Sequence, residues 1–149
     1  MKKIIVAVLM VLVLSGVGSA WGFDMAGWWI FKTYPHQLWS KDDEGILIET
    51  VAVKLRMYCE QTYEDKGEAV YQCGLFDMSG EPEDGYAEIY ILWDEDQMIF
   101  AFFMDIGPYT FSLPKKVWLP TSRIQGQGIT WTFARGVGFG RGTYIIRRP

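Results

Sequence analysis

The two cysteines, Cys59 and Cys73, constrain the fold more tightly than any other feature, because both lie in segments with the pattern of a β-strand. Residues 46–61 are rich in β-branched side chains, and their apolar and polar residues alternate. This pattern is typical of a half-buried strand. Residues 68–76 are predicted to form a second strand. The sequence therefore predicts an antiparallel hairpin with one cysteine on each arm.

The turn of this hairpin is predicted to be a three-residue loop that ends at Gly67. Such a loop places its last residue in a left-handed conformation, which glycine adopts without strain. If Glu64 pairs with Glu68 across the loop, Cys59 lies opposite Cys73 in a non-hydrogen-bonded pair, with the two Cα atoms about 4.5 Å apart. This separation suits a disulfide. We therefore predict a Cys59–Cys73 disulfide.

Residues 1–20 are predicted to be a secretory signal peptide. A positively charged start, an apolar run over residues 4–14 and small residues up to Ala20 follow one another in the order of such a peptide. The alternative is a retained membrane anchor, since residues 4–20 just reach the length of a spanning helix. Membrane association is expected only in that case. The mature domain is predicted to be residues 21–149, periplasmic or secreted, where the disulfide would form.

The rest of the chain reads as more short strands without a helical period. Segments bounded by Gly, Pro and acidic turn residues are predicted as strands over residues 28–34, 86–93, 98–104, 109–113, 117–119, 129–133 and 143–146. Residues 41–45 and 77–85 are predicted to be loops. The fold class is therefore all-β, a single small antiparallel β-barrel or β-sandwich.

Composition excludes several classes of protein. Two Cys and one His cannot complete a zinc site within one chain, and the acidic residues 81–85 lack the ligand spacing of a calcium loop. A hydrophobic content of 50% with 16% aromatic residues excludes a disordered chain. No metal, cofactor or nucleic acid is expected.

Glycine occupies every second position from Gly136 to Gly142. In a strand this leaves one face bare. One interpretation is that neighbouring side chains cover the bare face, or that the strand bends there. The other is close approach by a ligand. The run lacks the spacing of a dinucleotide-binding fingerprint.

Charge is divided unevenly along the chain. Residues 21–105 hold all 18 acidic residues, whereas residues 106–149 hold seven Lys and Arg residues and no acidic one. Cationic side chains interleaved with aromatic rings suit anionic or amphiphilic partners. The alternative is a solvated surface that balances the acidic strands. The predicted binding residues are Lys115, Lys116, Trp118, Arg123, Trp131, Arg135 and Arg141.

We expect a non-catalytic binding protein. Its partner would be an envelope lipid, an acidic polysaccharide or another exported protein. One alternative is an inhibitor or immunity protein that acts on an envelope enzyme through the acidic segments 77–85 and 94–96. Another is a small carboxylate-dependent hydrolase. The single histidine, His36, could serve a triad only with a serine such as Ser79 or Ser112, and neither lies in a nucleophile motif.

Overall fold

In a computed structural model of the protein, residues 24–94, 97–118, 122–134 and 136–149 are described. They form ten antiparallel strands, and no helix lies within these ranges. In chain order the strands are β1 (Gly27–Thr33), β2 (His36–Asp42), β3 (Gly45–Val51), β4 (Lys54–Asp65), β5 (Glu68–Phe76), β6 (Gly85–Asp94), β7 (Gln97–Ile106), β8 (Tyr109–Trp118), β9 (Arg123–Thr132) and β10 (Val137–Arg147). The predicted signal peptide, residues 1–20, lies outside the described residues.

The strands close into an eight-stranded barrel. β1 and β2 follow one another along the same side of β10 and together form one strand of the barrel wall. β3 pairs with β2 and β4 pairs with β1, so β1 to β4 form one long hairpin. The strands from β4 to β10 then pair in chain order, and β10 closes the barrel against β1. The prediction of an all-β antiparallel fold is confirmed, and the architecture is the barrel.

The first long hairpin differs from the predicted strands. Residues 46–61 are divided into β3 and β4 at Ala52–Val53, where Thr33 and Val53 exchange two hydrogen bonds. The predicted loop over residues 41–45 is only a two-residue turn at 43–44, since the residues on either side of the turn belong to β2 and β3. The prediction did not include a strand at β2.

Two later strands are longer than predicted. β8 continues through Pro114, where two short strands were expected, because β8 keeps its full pairing with β7. β10 begins at Val137 and includes the glycine run, whereas the predicted strand began at residue 143. The segment from Asp77 to Asp84 is a loop, as expected, with one isolated bridge at Pro82.

The cysteines are paired as predicted, although the predicted turn is wrong. Asp65, not Glu64, pairs with Glu68, so the turn has two residues. The ladder then shifts by one residue between Gln61 and Tyr63, and this β-bulge restores the expected register. Cys59 and Cys73 are therefore opposite one another, bonded, with their Cα atoms 4.0 Å apart.

Large side chains from opposite walls meet inside the barrel. The Phe31 ring from β1 lies 5.1 Å from Phe102 of β7, and 5.6 Å from both Phe111 of β8 and Tyr144 of β10, measured between ring centroids. All four rings are buried. An eight-stranded barrel is just wide enough for such filling. These four rings therefore fill the interior at this level of the barrel.

The glycine run of β10 is covered by β2. A Cβ atom on Gly138 would lie 2.8 Å from the Cβ of Ser40, and one on Gly142 would lie 2.6 Å from Cγ of His36. Such distances are far inside van der Waals contact. Because these glycines have no side chains, β2 approaches β10 closely. Residues of β2 therefore cover the bare face of the glycine run.

The described residues contain no helix that is long and apolar enough to cross a membrane.

Candidate functional site

Four large apolar side chains form a row across four neighbouring strands on the outer wall. The register places Ile48 of β3 beside Trp39 of β2, Trp39 beside Phe139 of β10, and Phe139 beside Trp131 of β9. The Trp131 and Phe139 ring centroids are 5.8 Å apart. We call these four residues the apolar strip.

Most of the apolar strip is exposed. Relative exposure is 46% for Ile48, 51% for Trp39 and 56% for Phe139. The strip is extended by Ile46 and Val137, which lie one row further along and are exposed at 68% and 60%. Single exposed apolar residues are ordinary, but a contiguous exposed patch marks an interaction site.

Cationic side chains occupy the same wall; Lys41 and Arg141 lie next to the apolar strip, and the others lie toward the opposite end of the wall. Barrel closure brings β1 and β4 beside β10 and β9, so lysines and arginines from both ends of the chain share one surface. We call this surface the basic face; its cations are Lys32, Lys41, Lys54, Arg56, Arg123, Arg141 and Arg147. Four of them come from the part of the sequence that holds all the acidic residues.

Two direct cross-strand pairs of the basic face consist of like charges. Lys32 is opposite Lys54 in the β1–β4 ladder, and Arg123 is opposite Arg147 in the β9–β10 ladder. Like charges in directly opposed positions oppose folding. The Lys32 ammonium lies 5.0 Å from the centre of the Tyr34 ring, which attracts it. The Lys32–Lys54 and Arg123–Arg147 pairs concentrate positive charge on the basic face, and a bound anion would neutralise it.

Acidic residues are absent from this wall within the described residues. The outward positions of β9, β10, β1, β2 and β3, and of β4 as far as Tyr58, hold no Asp or Glu. Glu49 of β3 points to the other side, where its carboxylate accepts a hydrogen bond from the Tyr109 hydroxyl at 3.0 Å. Exposed acids border the wall at Asp43 and Glu44 in the β2–β3 turn and at Glu60, the next outward residue of β4. The wall therefore combines an apolar end with a positive field.

The predicted binding residues are divided between two places. Trp131 belongs to the apolar strip, and Arg141 lies two residues from Phe139 on the same face of β10. Arg123 lies at the far end of β9, roughly 27 Å from Trp131 along the strand. Arg135 lies outside the described residues.

The remaining predicted residues lie on β8, beside an opening in the barrel wall. The β8–β9 ladder covers only Tyr109–Ser112, and it ends just before Pro114, which has no N–H group to donate. Lys115 crosses this opening, since a Cβ on Gly126 would lie 3.0 Å from Cδ of Lys115. Lys116 and the backbone of Trp118 follow on the same strand, beside β7.

Several site residues were missed, one because its strand was not predicted and the others because the strand pairing was not known. Trp39 lies in β2, a strand that was not predicted, whereas Ile48 lies within the predicted strand over residues 46–61 and its exposed position was not recognised. Lys32, Lys54 and Arg56 were counted with the acidic region. Only the closure of β1 on β10 shows that they belong with the C-terminal cations.

The single histidine is tied into the barrel wall. His36 Nδ1 lies 2.8 Å from the Tyr34 carbonyl oxygen, and Nε2 lies 2.7 Å from Oγ1 of Thr130. The Ser79 hydroxyl donates to Asp77 within its own loop. Within the described ranges no three His, Cys, Asp or Glu side chains are grouped to hold a metal ion.

Comparisons with protein-family models, with curated proteins and with solved structures find no match. Function is therefore inferred from the geometry and chemistry of the wall.

Proposed function

We propose that this protein is an exported, non-catalytic binding protein whose ligand is an anionic amphiphile, a molecule with an acidic group and an apolar part. The observation that carries the proposal is the closure of β1 on β10. Closure places Lys32, Lys54 and Arg56 near Arg147, on the same wall as the apolar strip but at its opposite end. Neither half of the sequence forms this surface without the other.

Each part of the wall supplies a different contribution to binding. The apolar strip would bury the apolar part of the ligand, at roughly 25 cal/mol per Å² of apolar surface removed from water. Cations of the basic face would attract the acidic group and lose strength with added salt. The rings of Trp39 and Trp131 suit an interface between apolar and wet surroundings. Binding should therefore need both negative charge and apolar surface.

Export fits the same proposal. A disulfide is typical of oxidising compartments, and Cys59 and Cys73 are bonded. An envelope or secreted location would also expose the protein to anionic lipids and surfactants.

The proposal is tested by co-sedimentation with vesicles of an anionic phospholipid and with vesicles of a zwitterionic one, and by titration with a soluble anionic surfactant. We expect binding to the anionic forms only, falling as salt is added. The double variant K32E/K54E should bind at least about tenfold less tightly, since each cation near an anionic surface contributes about 1 kcal/mol. Binding to the surfactant without binding to vesicles would identify a monomeric amphiphile, and the reverse a lipid surface.

The matched control is K115E/K116E, which changes the charge by the same amount on β8. We expect this variant to keep its affinity within about twofold. An equal loss in both double variants would contradict the proposed location, and no binding to any of the three probes would contradict the proposed function.

A further inference from the structure

β3 is an edge strand with no described partner on its outer side. The strand order ends at β3, which pairs only with β2. Since the hairpin turn has two residues, Asp42 and Gly45 form its closing hydrogen-bonded pair. Backbone groups then alternate, so the N–H and C=O groups of Ile46, Ile48 and Thr50 point away from β2. These groups are ready to pair with another strand.

The edge also lacks most of the features that prevent such pairing. The segment Gly45–Val51 reads GILIETV, with four β-branched residues and neither Pro nor Lys. Exposed edges are usually protected by proline, lysine, a bulge or an inward charge. The single charge, Glu49, points inward, but its carboxylate already accepts a hydrogen bond from the Tyr109 hydroxyl. By contrast, the open edge of β8 has Pro114, Lys115 and Lys116 in sequence.

We propose that a second copy of this chain pairs with this edge, β3 against β3 in antiparallel orientation about a two-fold axis at Ile48. This register places Ile48 opposite Ile48 of the second copy and Ile46 opposite its Thr50. Every outward backbone group of the edge then finds a partner, in three pairs with two bonds each, about six hydrogen bonds in all.

Side-chain chemistry disfavours one of the competing registers. With Ile48 on the axis, Glu49 lies opposite Leu47 of the second copy. A shift of one residue in each copy would place Glu49 against Glu49, and like charges in opposed positions oppose pairing. A self-complementary patch of this kind is what a two-fold dimer needs. Ile48 ends the apolar strip, so the dimer would join two strips into one continuous apolar surface.

The proposal is tested on the full mature chain by sedimentation and native mass spectrometry over a range of concentrations, together with amide hydrogen exchange. We expect a reversible dimer and slowed exchange at Ile46, Ile48 and Thr50 in concentrated samples. T50P removes an outward N–H without removing a bond to β2, and I48K places two lysines on the axis. Each variant should weaken dimerisation at least about tenfold while the circular dichroism spectrum is unchanged.

The matched control is W39K, which adds the same charge to the next strand without touching the edge. W39K should still dimerise and should lose amphiphile binding. The experiment therefore tests dimerisation through β3 independently of amphiphile binding. A chain that stays monomeric at about 1 mM, or a dimer that persists in both T50P and I48K, would overturn the pairing. Unslowed exchange at the three amides in a dimer would show that the copies meet elsewhere.

Discussion

The guanidinium of Arg148 lies 4.0 Å from the centre of the Trp29 ring, where the N-terminal segment crosses one end of the barrel. The same guanidinium donates hydrogen bonds to the carbonyl oxygens of Asp24, Ala26 and Trp28 at 3.0 to 3.1 Å. Burial lowers the pKa of Arg148. This side chain therefore fastens the N-terminal segment, with the fully buried Met25, onto the barrel.

Replacement of Arg148 by alanine should lower the free energy of unfolding by about 2 to 3 kcal/mol, because a cation–π contact and several charge-assisted hydrogen bonds are lost. Arg148→Lys should recover less than half of this loss, since lysine lacks the planar fork. Chemical denaturation measures both. Arg141→Ala, at an exposed site, should stay within about 0.5 kcal/mol of the wild type. Equal free energies of unfolding for all three variants would show that the Arg148 contacts do not stabilise the fold.

Deletion of Thr62 should be tolerated, because it removes the extra residue of the β-bulge and leaves Cys59 opposite Cys73. Mass spectrometry with a thiol-reactive label should find the disulfide formed. Deletion of Gln61 together with Thr62 shifts the register by one residue, and free thiols should then appear. A single-deletion protein with two free thiols would contradict this account of the bulge.

Gly128→Ala should destabilise the barrel by more than about 2 kcal/mol, because overpacking a filled core is costly. The added Cβ would meet the Tyr144 ring and lie 2.7 Å from the Ser112 carbonyl oxygen. Gly126→Ala, two residues away on the same strand, meets the flexible stem of Lys115 at 3.0 Å, and should cost less than half as much. Thermal unfolding of the two variants makes the comparison.

Stability should fall as pH rises from about 10 to about 12. Burial raises the pKa of Tyr144 to about 12, and also that of Tyr71 to about 12. An unfolded tyrosine ionises near its ordinary pKa of about 10, so above that pH the unfolded state releases protons that the folded state keeps. The stabilising difference is complete below about pH 10 and is lost as pH rises through about 12.

The free energy of unfolding, measured at about pH 9 and about pH 11, checks this window. Tyr144→Phe should show a smaller decrease between the two values than the wild type. A wild-type stability that is constant over this range would contradict the burial of both phenols.

Most of the strands and the cysteine pairing follow from local patterns in the sequence, whereas β2 and the site do not. The alternation around Met57 and Leu75 fixes the faces of one hairpin. The turn differs from the predicted one by one residue, and the bulge at Thr62 offsets this difference, so the cysteine pairing is as predicted. The basic face depends on the contact between Lys32 of β1 and Ile145 of β10, which are separated by most of the chain. No local pattern specifies which strand closes a barrel.

The glycine run shows the same limit. Alternating glycines predict a bare face, but only the closure places His36 and Ser40 against it. Likewise, Trp131 was identified from the sequence as a binding residue, while Trp39, on the other side of Phe139 in the same row, was not, because the pairing of β2 with β10 joins residues from opposite ends of the chain.

The most direct test of the amphipathic wall is an NMR titration of the isotope-labelled protein with micelles of an anionic surfactant. We expect the largest amide shift changes at Ile48, Trp39, Phe139 and Trp131 and next to the cations of β1, β4 and β10, with β5, β6 and β7 nearly unchanged. Changes concentrated on β5 to β7, or spread evenly around the barrel, would contradict the account.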